Sequence, residues 1–224
     1  FCDPFTPRSH VLADQQQPTP TDHQQPVSGS GAHPDKGTGI AVVFIDLQKG
    51  FFEDPALQDN RELMVLESNR LAAMARAGGH EIVVVSTVHD RRRSTWTLKM
   101  LEDDQGFNFA GTDQASLLDG LELDAAVHVE KTRDSAFHGT SLAQRLRTMG
   151  VQRLVLAGVT AESCVSATGR DAFAHDFQVI YAREAIASSD SERGWRVVDE
   201  SCESYRQTVL DRPDLERLLG TGQD

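Results

Sequence analysis

Three residues of contrasting chemistry stand close behind three short apolar runs. Asp46 follows Ile40-Ala41-Val42-Val43-Phe44-Ile45, Lys131 follows the run at 125–129, and Cys164 lies shortly beyond Leu154-Val155-Leu156-Ala157. An acid, an amine and a thiol are the parts of a covalent catalyst: the acid takes the thiol proton, the sulfur attacks, and the cation steadies both anions. Taken singly, each has an ordinary role, as a turn or cap for the aspartate, a surface charge for the lysine and an inert buried thiol for the cysteine. Their shared position at strand ends is what points to nucleophilic catalysis, because open parallel sheets bind ligands outside the carboxyl ends of their strands.

The elements that must position them are legible as runs and spacings. Strands are predicted at 40–45, 82–87, 125–129, 154–157 and 177–181, with a sixth at 205–210. Most are unbroken apolar stretches, the pattern of strands covered on both faces. Between them, Leu63, Leu66, Leu71 and Met74 fall near helical spacing within 61–77, and Leu142, Leu146 and Met149 do so within 141–149. Gly78-Gly79 and Gly150 stop those helices. A polar helix is predicted over 190–204, containing Cys202, and a short one enters through Pro213. The fold class is therefore α/β: a three-layer α/β/α arrangement around a mainly parallel sheet. A helix beginning near residue 164 puts Cys164 in its first turn, where free N–H groups and the helix dipole favour a thiolate.

The chain has 224 residues, 39% hydrophobic and 25% charged, which suits one medium-sized core. Six of the eight prolines fall in the first 34 residues, among Gln15 to Gln17 and a Ser28-Gly29-Ser30-Gly31 run. Residues 1–38 are accordingly predicted to be a flexible Gln/Pro-rich arm, and 39–224 the folded domain. With 34 acids against 22 bases the net charge is −12, which disfavours nucleic acid as a partner. No apolar run nears the roughly 20 residues of a membrane-spanning helix, so no membrane partner is expected. Three cysteines, Cys2, Cys164 and Cys202, are too few and scattered for a disulfide framework, which favours a reduced, cytoplasmic setting.

The three reactive segments, read in full, resemble a known family. Ala41-Val42-Val43-Phe44-Ile45-Asp46-Leu47-Gln48, then Lys131-Thr132-Arg133-Asp134-Ser135-Ala136-Phe137-His138-Gly139-Thr140-Ser141-Leu142, then Gly158-Val159-Thr160-Ala161-Glu162-Ser163-Cys164-Val165 are similar to the signature blocks of the isochorismatase-like cysteine hydrolases. The resemblance runs from about Gly39 to about Ser189. It implies a six-stranded parallel sheet and an Asp-Lys-Cys triad, here Asp46, Lys131 and Cys164. It also implies a cis peptide bond before Thr160, with the N–H groups of Thr160 and Cys164 as an oxyanion hole, and a homo-oligomer, dimer or tetramer. The expected reaction is cleavage of a C–N bond in a small amide, ureido or carbamoyl substrate through a Cys164 thioester. Two alternatives stand beside it: vinyl ether hydrolysis, which needs the acid but no thiol, and a non-catalytic scaffold with a dormant triad.

Nicotinamidase members of that family carry a metal on an Asp-x-His pattern after the second strand. Here that stretch reads Thr87-Val88-His89-Asp90-Arg91-Arg92-Arg93, so no metal and no other cofactor is expected. The basic run, dense for an acidic chain, offers Arg91 or Arg92 as a clamp for a substrate carboxylate, against the ordinary reading of a solvated loop. Phe51, Phe52, Trp96, Phe137 and His138 follow strand ends and are candidate pocket walls, with core packing as the alternative for the aromatics.

Overall fold

A computed structural model of the protein describes residues 39–220. The expected arm at 1–38 lies outside the described residues. Six strands form one all-parallel sheet: β1 (Gly39–Ile45), β2 (Glu81–Thr87), β3 (Val127–Lys131), β4 (Val151–Gly158), β5 (Gln178–Ile186) and β6 (Thr208–Leu210). Their order is β3-β2-β1-β4-β5-β6. The helices between them are α1 (Pro55–Gln58), α2 (Arg61–Ala77), α3 (Leu98–Glu102), α4 (Leu142–Thr148), α5 (Ser166–Ala174), α6 (Ser191–Tyr205) and α7 (Arg212–Leu219). Among the described residues no helix is long and apolar enough to cross a membrane.

The unbroken apolar strands are explained by two cores. Val42, Phe44 and Val84 point to one face, where Leu71 of α2 and Leu215 and Leu219 of α7 cover them. Ala41, Val43 and Ile45 point to the other, under Leu142 and Leu146 of α4, Ala172 of α5 and Val198 of α6. This is the expected three-layer sandwich. Its strand order reverses direction between β1 and its neighbours, so the switch crevice opens beyond the ends of β1 and β4. Asp46 follows the first of these strands and Cys164 the second.

Strand limits differ from the sequence reading where polar residues interrupt the apolar pattern. β3 begins two residues later than expected, because Ala125 adopts φ +64° in the preceding turn. As an edge strand it alternates buried and exposed positions, and Lys131 is its last residue rather than a residue beyond its end. β5 continues through Arg183 and Glu184 to Ile186. β6 is shorter than expected, since Tyr205 ends α6 and Arg206 turns out at φ +54°. Cys164 does not sit in the first turn of α5; it lies in a π-helical turn, Ala161–Val165, that precedes it.

Gly158 draws the ends of β1 and β4 together. It has φ +118°, and a Cβ there would stand 2.0 Å from the Ile45 carbonyl oxygen. Val159 N–H then donates to that same oxygen at 3.0 Å, and Ala187 N–H to the Gly158 carbonyl at 3.1 Å. Both the conformation and the contact exclude a side chain. Gly158→Ala is expected to cost about 3 kcal/mol or more of unfolding free energy in urea denaturation, whereas Gly79→Ala, at φ +69° with open space around its Cβ, should cost about 1 kcal/mol.

Candidate active site

Asp46 leaves β1 at φ +55°, a left-handed conformation that aspartate tolerates better than most residues. Its N–H donates to the Val85 carbonyl at 2.9 Å, and its carboxylate turns across the end of β2. There Oδ1 accepts from Thr87 N–H at 3.0 Å and from the Thr87 hydroxyl at 2.9 Å. Gln48 braces the same strand end: its Oε1 accepts from Thr87 N–H at 2.7 Å, while its Nε2 donates to Thr87 O at 2.9 Å and Ala115 O at 2.8 Å. Asp46 and Gln48 are fully buried.

Lys131 enters from β3 and carries three aligned hydrogen bonds. Nζ donates to Thr87 Oγ1 at 2.7 Å, to Arg133 O at 3.1 Å and to Cys164 Sγ at 3.3 Å. It also lies 2.8 Å from Asp46 Oδ2. The contact is an ion pair in which Oδ2 accepts no well-aligned hydrogen bond. The Thr87 hydroxyl thus accepts from the lysine and donates to the aspartate, fixing which carboxylate oxygen faces which partner. Removing either ion while the other stays buried would cost about 3–5 kcal/mol.

Burial first, and the neighbouring Asp46 carboxylate second, push the Cys164 thiol well above its ordinary range, and the pull of Lys131 is too small to offset them. This corrects the helix-dipole expectation: the π-helical turn buries the sulfur, and the adjacent carboxylate disfavours a second anion. Burial alone would lower the Lys131 pKa, but the Asp46 carboxylate beside it acts the other way and the net direction is upward, so the lysine is a cation. The Val159–Thr160 peptide bond is cis. Among the described residues no acceptor takes the Thr160 N–H, and Thr160 Oγ1 and Ser163 Oγ are 2.8 Å apart.

Cys164, Lys131 and Thr87 form one wall of a cavity of about 410 Å³. Phe51, Met100 of α3, Phe107, His89 and Arg133 line the same cavity. Phe51 and Phe107 meet edge to face, with centroids 5.4 Å apart. Of the candidate wall residues, Phe51 reaches this cavity and the others go elsewhere. Phe52 and Phe137 belong to the two cores, Phe137 stacking on Phe177. Trp96 and His138 line a neighbouring groove. Arg91 lies over the Phe109 ring, and Arg92 is exposed. The reason is local: Asp90 accepts from Arg92 N–H and Ser94 Oγ, which folds the basic run away from the sulfur. The guanidinium that does reach the cavity, Arg133, comes from β3's outgoing loop, and Thr87, Gln48, Phe107 and Met100 had no distinguishing signal beyond their places at strand ends or in an aperiodic loop.

The donors do not suit a metal. Asp90 spends both carboxylate oxygens on its own turn, buried His89 holds Nδ1 3.1 Å from Thr95 O, and among the described residues no group of three His, Cys, Asp or Glu side chains gathers. Burial, with Arg133 and Lys131 nearby, lowers the His89 pKa, so its ring is neutral near pH 7.

Residues 40–210 match the family model described as the isochorismatase domain. The chain belongs to the isochorismatase family. Among its relatives, maleamate amidohydrolase of Pseudomonas putida is 39% identical over 165 residues, 70% of this chain and 76% of that protein. A probable inactive nicotinamidase of Arabidopsis thaliana is 32% identical over 165 residues, 68% of this chain and 82% of that protein. The crystal structure of an isochorismatase family protein from Desulfovibrio vulgaris superposes with a TM-score of 0.74 at 27% identity, covering 82% of this chain and 99% of that one. Relatives named in this family include amidases, maleamate amidohydrolase and N-carbamoylsarcosine amidase among them.

The electrostatics make a signed expectation. Because Asp46 raises the thiol pKa, Asp46→Asn leaves Lys131 as the nearest charge and should move alkylation of Cys164 by iodoacetamide to lower pH. Mass spectrometry of the modified cysteine across pH 6–10 checks this; rapid labelling of the wild type at pH 7, or no shift in the variant, would refute the assigned charges.

Proposed function

We propose that this chain hydrolyses a C–N bond of a small amide, ureido or carbamoyl compound through a thioester on Cys164. The observation that carries the reading is the single ammonium, Lys131 Nζ, touching the Asp46 carboxylate at 2.8 Å and the Cys164 sulfur at 3.3 Å on a cavity wall. As the sulfur attacks the carbonyl carbon, its proton passes to Asp46 Oδ2, the oxygen that accepts no well-aligned hydrogen bond. The oxyanion forms against the N–H groups of Thr160 and Cys164, each donor worth about 2.7–4 kcal/mol in other hydrolases. Asp46 then returns the proton to the leaving nitrogen, the C–N bond breaks, and the acyl group remains on sulfur. Water, deprotonated by the same carboxylate, attacks the thioester, releasing the acid and restoring the thiol. Lys131 stays charged throughout and stabilises whichever of its neighbours is anionic.

Vinyl ether hydrolysis would leave the sulfur without a task, and the direct Lys131–Cys164 contact favours the amidase reading over it. A dormant scaffold has no use for three reactive groups in contact on an open cavity; one relative carries an inactive designation, so turnover is the test. With a panel of small amides and ureas and ammonia detection, Cys164→Ala should lose at least about 10³-fold in kcat, and acid-quenched wild type should carry the acyl mass on Cys164. Undiminished turnover in Cys164→Ala would end the covalent reading.

Thr87 links the other two groups, so its hydroxyl should matter to the rate more than to binding. Thr87→Val is expected to lower kcat about 10–100-fold, the loss of one or two charge-assisted hydrogen bonds, with KM little changed and Thr87→Ser restoring most of it. Equal kcat in Thr87→Val and wild type would remove this link.

A further inference from the structure

Arg133 is held by backbone carbonyls rather than by a carboxylate. Its Nη1 donates to Thr95 O at 2.9 Å and to Thr132 O at 2.6 Å, which pins the guanidinium against two loops. Among the described residues, Nε and Nη2 have no acceptor and no carboxylate pairs with the group. It is partly buried and lines the Cys164 cavity. The remaining edge of a guanidinium held in this way is a preorganised fork for a carboxylate, and little conformational freedom is left to lose on binding.

The surrounding charges agree. Lys131 is neutralised by Asp46, and His89 is neutral. Asp103 and Asp134 lie on exposed positions of the cavity lining, where water weakens their fields, and neither is within ion-pair distance of Arg133, although Asp134 contributes to the upward shift of the Cys164 thiol. Lys99, on α3, adds a second cation on the same lining, and among the described residues it forms no ion pair. The Arg133 carbonyl accepts from Lys131 Nζ at 3.1 Å, the same ammonium that contacts the Cys164 sulfur, so the backbone of the residue is anchored beside the reacting group.

We infer that the substrate is an anionic amide: a short acyl amide or ureide with a terminal carboxylate, which Arg133 holds while the other end meets Cys164. This inference rests on the amidohydrolase reading above for the identity of the reacting end.

Calorimetric titration of the Cys164→Ala protein tests it without turnover. The probes are malonamate, succinamate and glutaramate, each against the neutral amide in which isopropyl replaces the carboxylate, such as 4-methylpentanamide for succinamate. At least one carboxylate should bind about tenfold or more tightly than its partner, and Arg133→Gln in the same background should abolish the preference. Should that variant not fold, Arg133→Lys, which keeps the charge and loses the fork, should still weaken the preference. Equal binding within every pair, no binding by any carboxylate, or a preference that survives both substitutions would overturn the inference. The two readings separate in parallel assays of the wild type. Ammonia release with no carboxylate preference leaves the amidase standing and removes the Arg133 role, whereas Arg133-dependent binding with no ammonia release does the reverse.

Discussion

The buried ion pair between Asp46 and Lys131 is the constraint around which the site is organised. Neither charge can be taken from water alone without a large loss, so the fold must bring a side chain from the end of β1 to within 2.8 Å of one from the end of β3 although β2 lies between those strands. Thr87, at the end of β2, fills that gap. Its hydroxyl and N–H both bind the carboxylate, and the hydroxyl also accepts from the ammonium. Gln48 then clamps Thr87 from the other side. Three adjacent strands thereby end in one polar network whose members satisfy each other, with the exception of the single carboxylate oxygen that faces the lysine.

The sulfur is delivered from the other side of the switch point. Gly158 lets β4 close on β1, and the π-helical turn after it carries Cys164 to Lys131. Next to a carboxylate and nearly shut off from water, the thiol keeps its proton. A protonated, buried sulfur is a poor target for oxidants and stray electrophiles. Reactivity then depends on a carbonyl arriving in the cavity, when proton transfer to Asp46 and attack on carbon proceed together. The ion pair thus serves both states: it holds the base in place and supplies a cation for whichever anion forms.

Much of this was legible before any coordinates. β1 and β2 are covered on both faces, and unbroken apolar runs report that directly. The three reactive residues stood out because each follows such a run. β3 was misplaced by two residues since an edge strand alternates, and His128 and Glu130 broke the apolar pattern. The cavity wall was harder still. The Arg91 to Arg93 run looked like the cationic feature of the site, but the Asp90 turn directs it outward, while Arg133, a single charge in a loop, reaches the cavity. Phe107 and Met100 come from a stretch with no periodicity to read. The charge state of Cys164 depended on which neighbour lay nearer in space, a question that local helix arguments could not answer.

A double-mutant cycle on the ion pair tests the central claim most directly. Unfolding free energies would be measured for Asp46→Asn, Lys131→Met and the double variant. If the pair is buried and mutually compensating, each single change costs about 3–5 kcal/mol and the double variant costs far less than their sum. Two small, additive losses would mean that the charges are solvated and separate, and the shared network at the ends of β1, β2 and β3 would not exist.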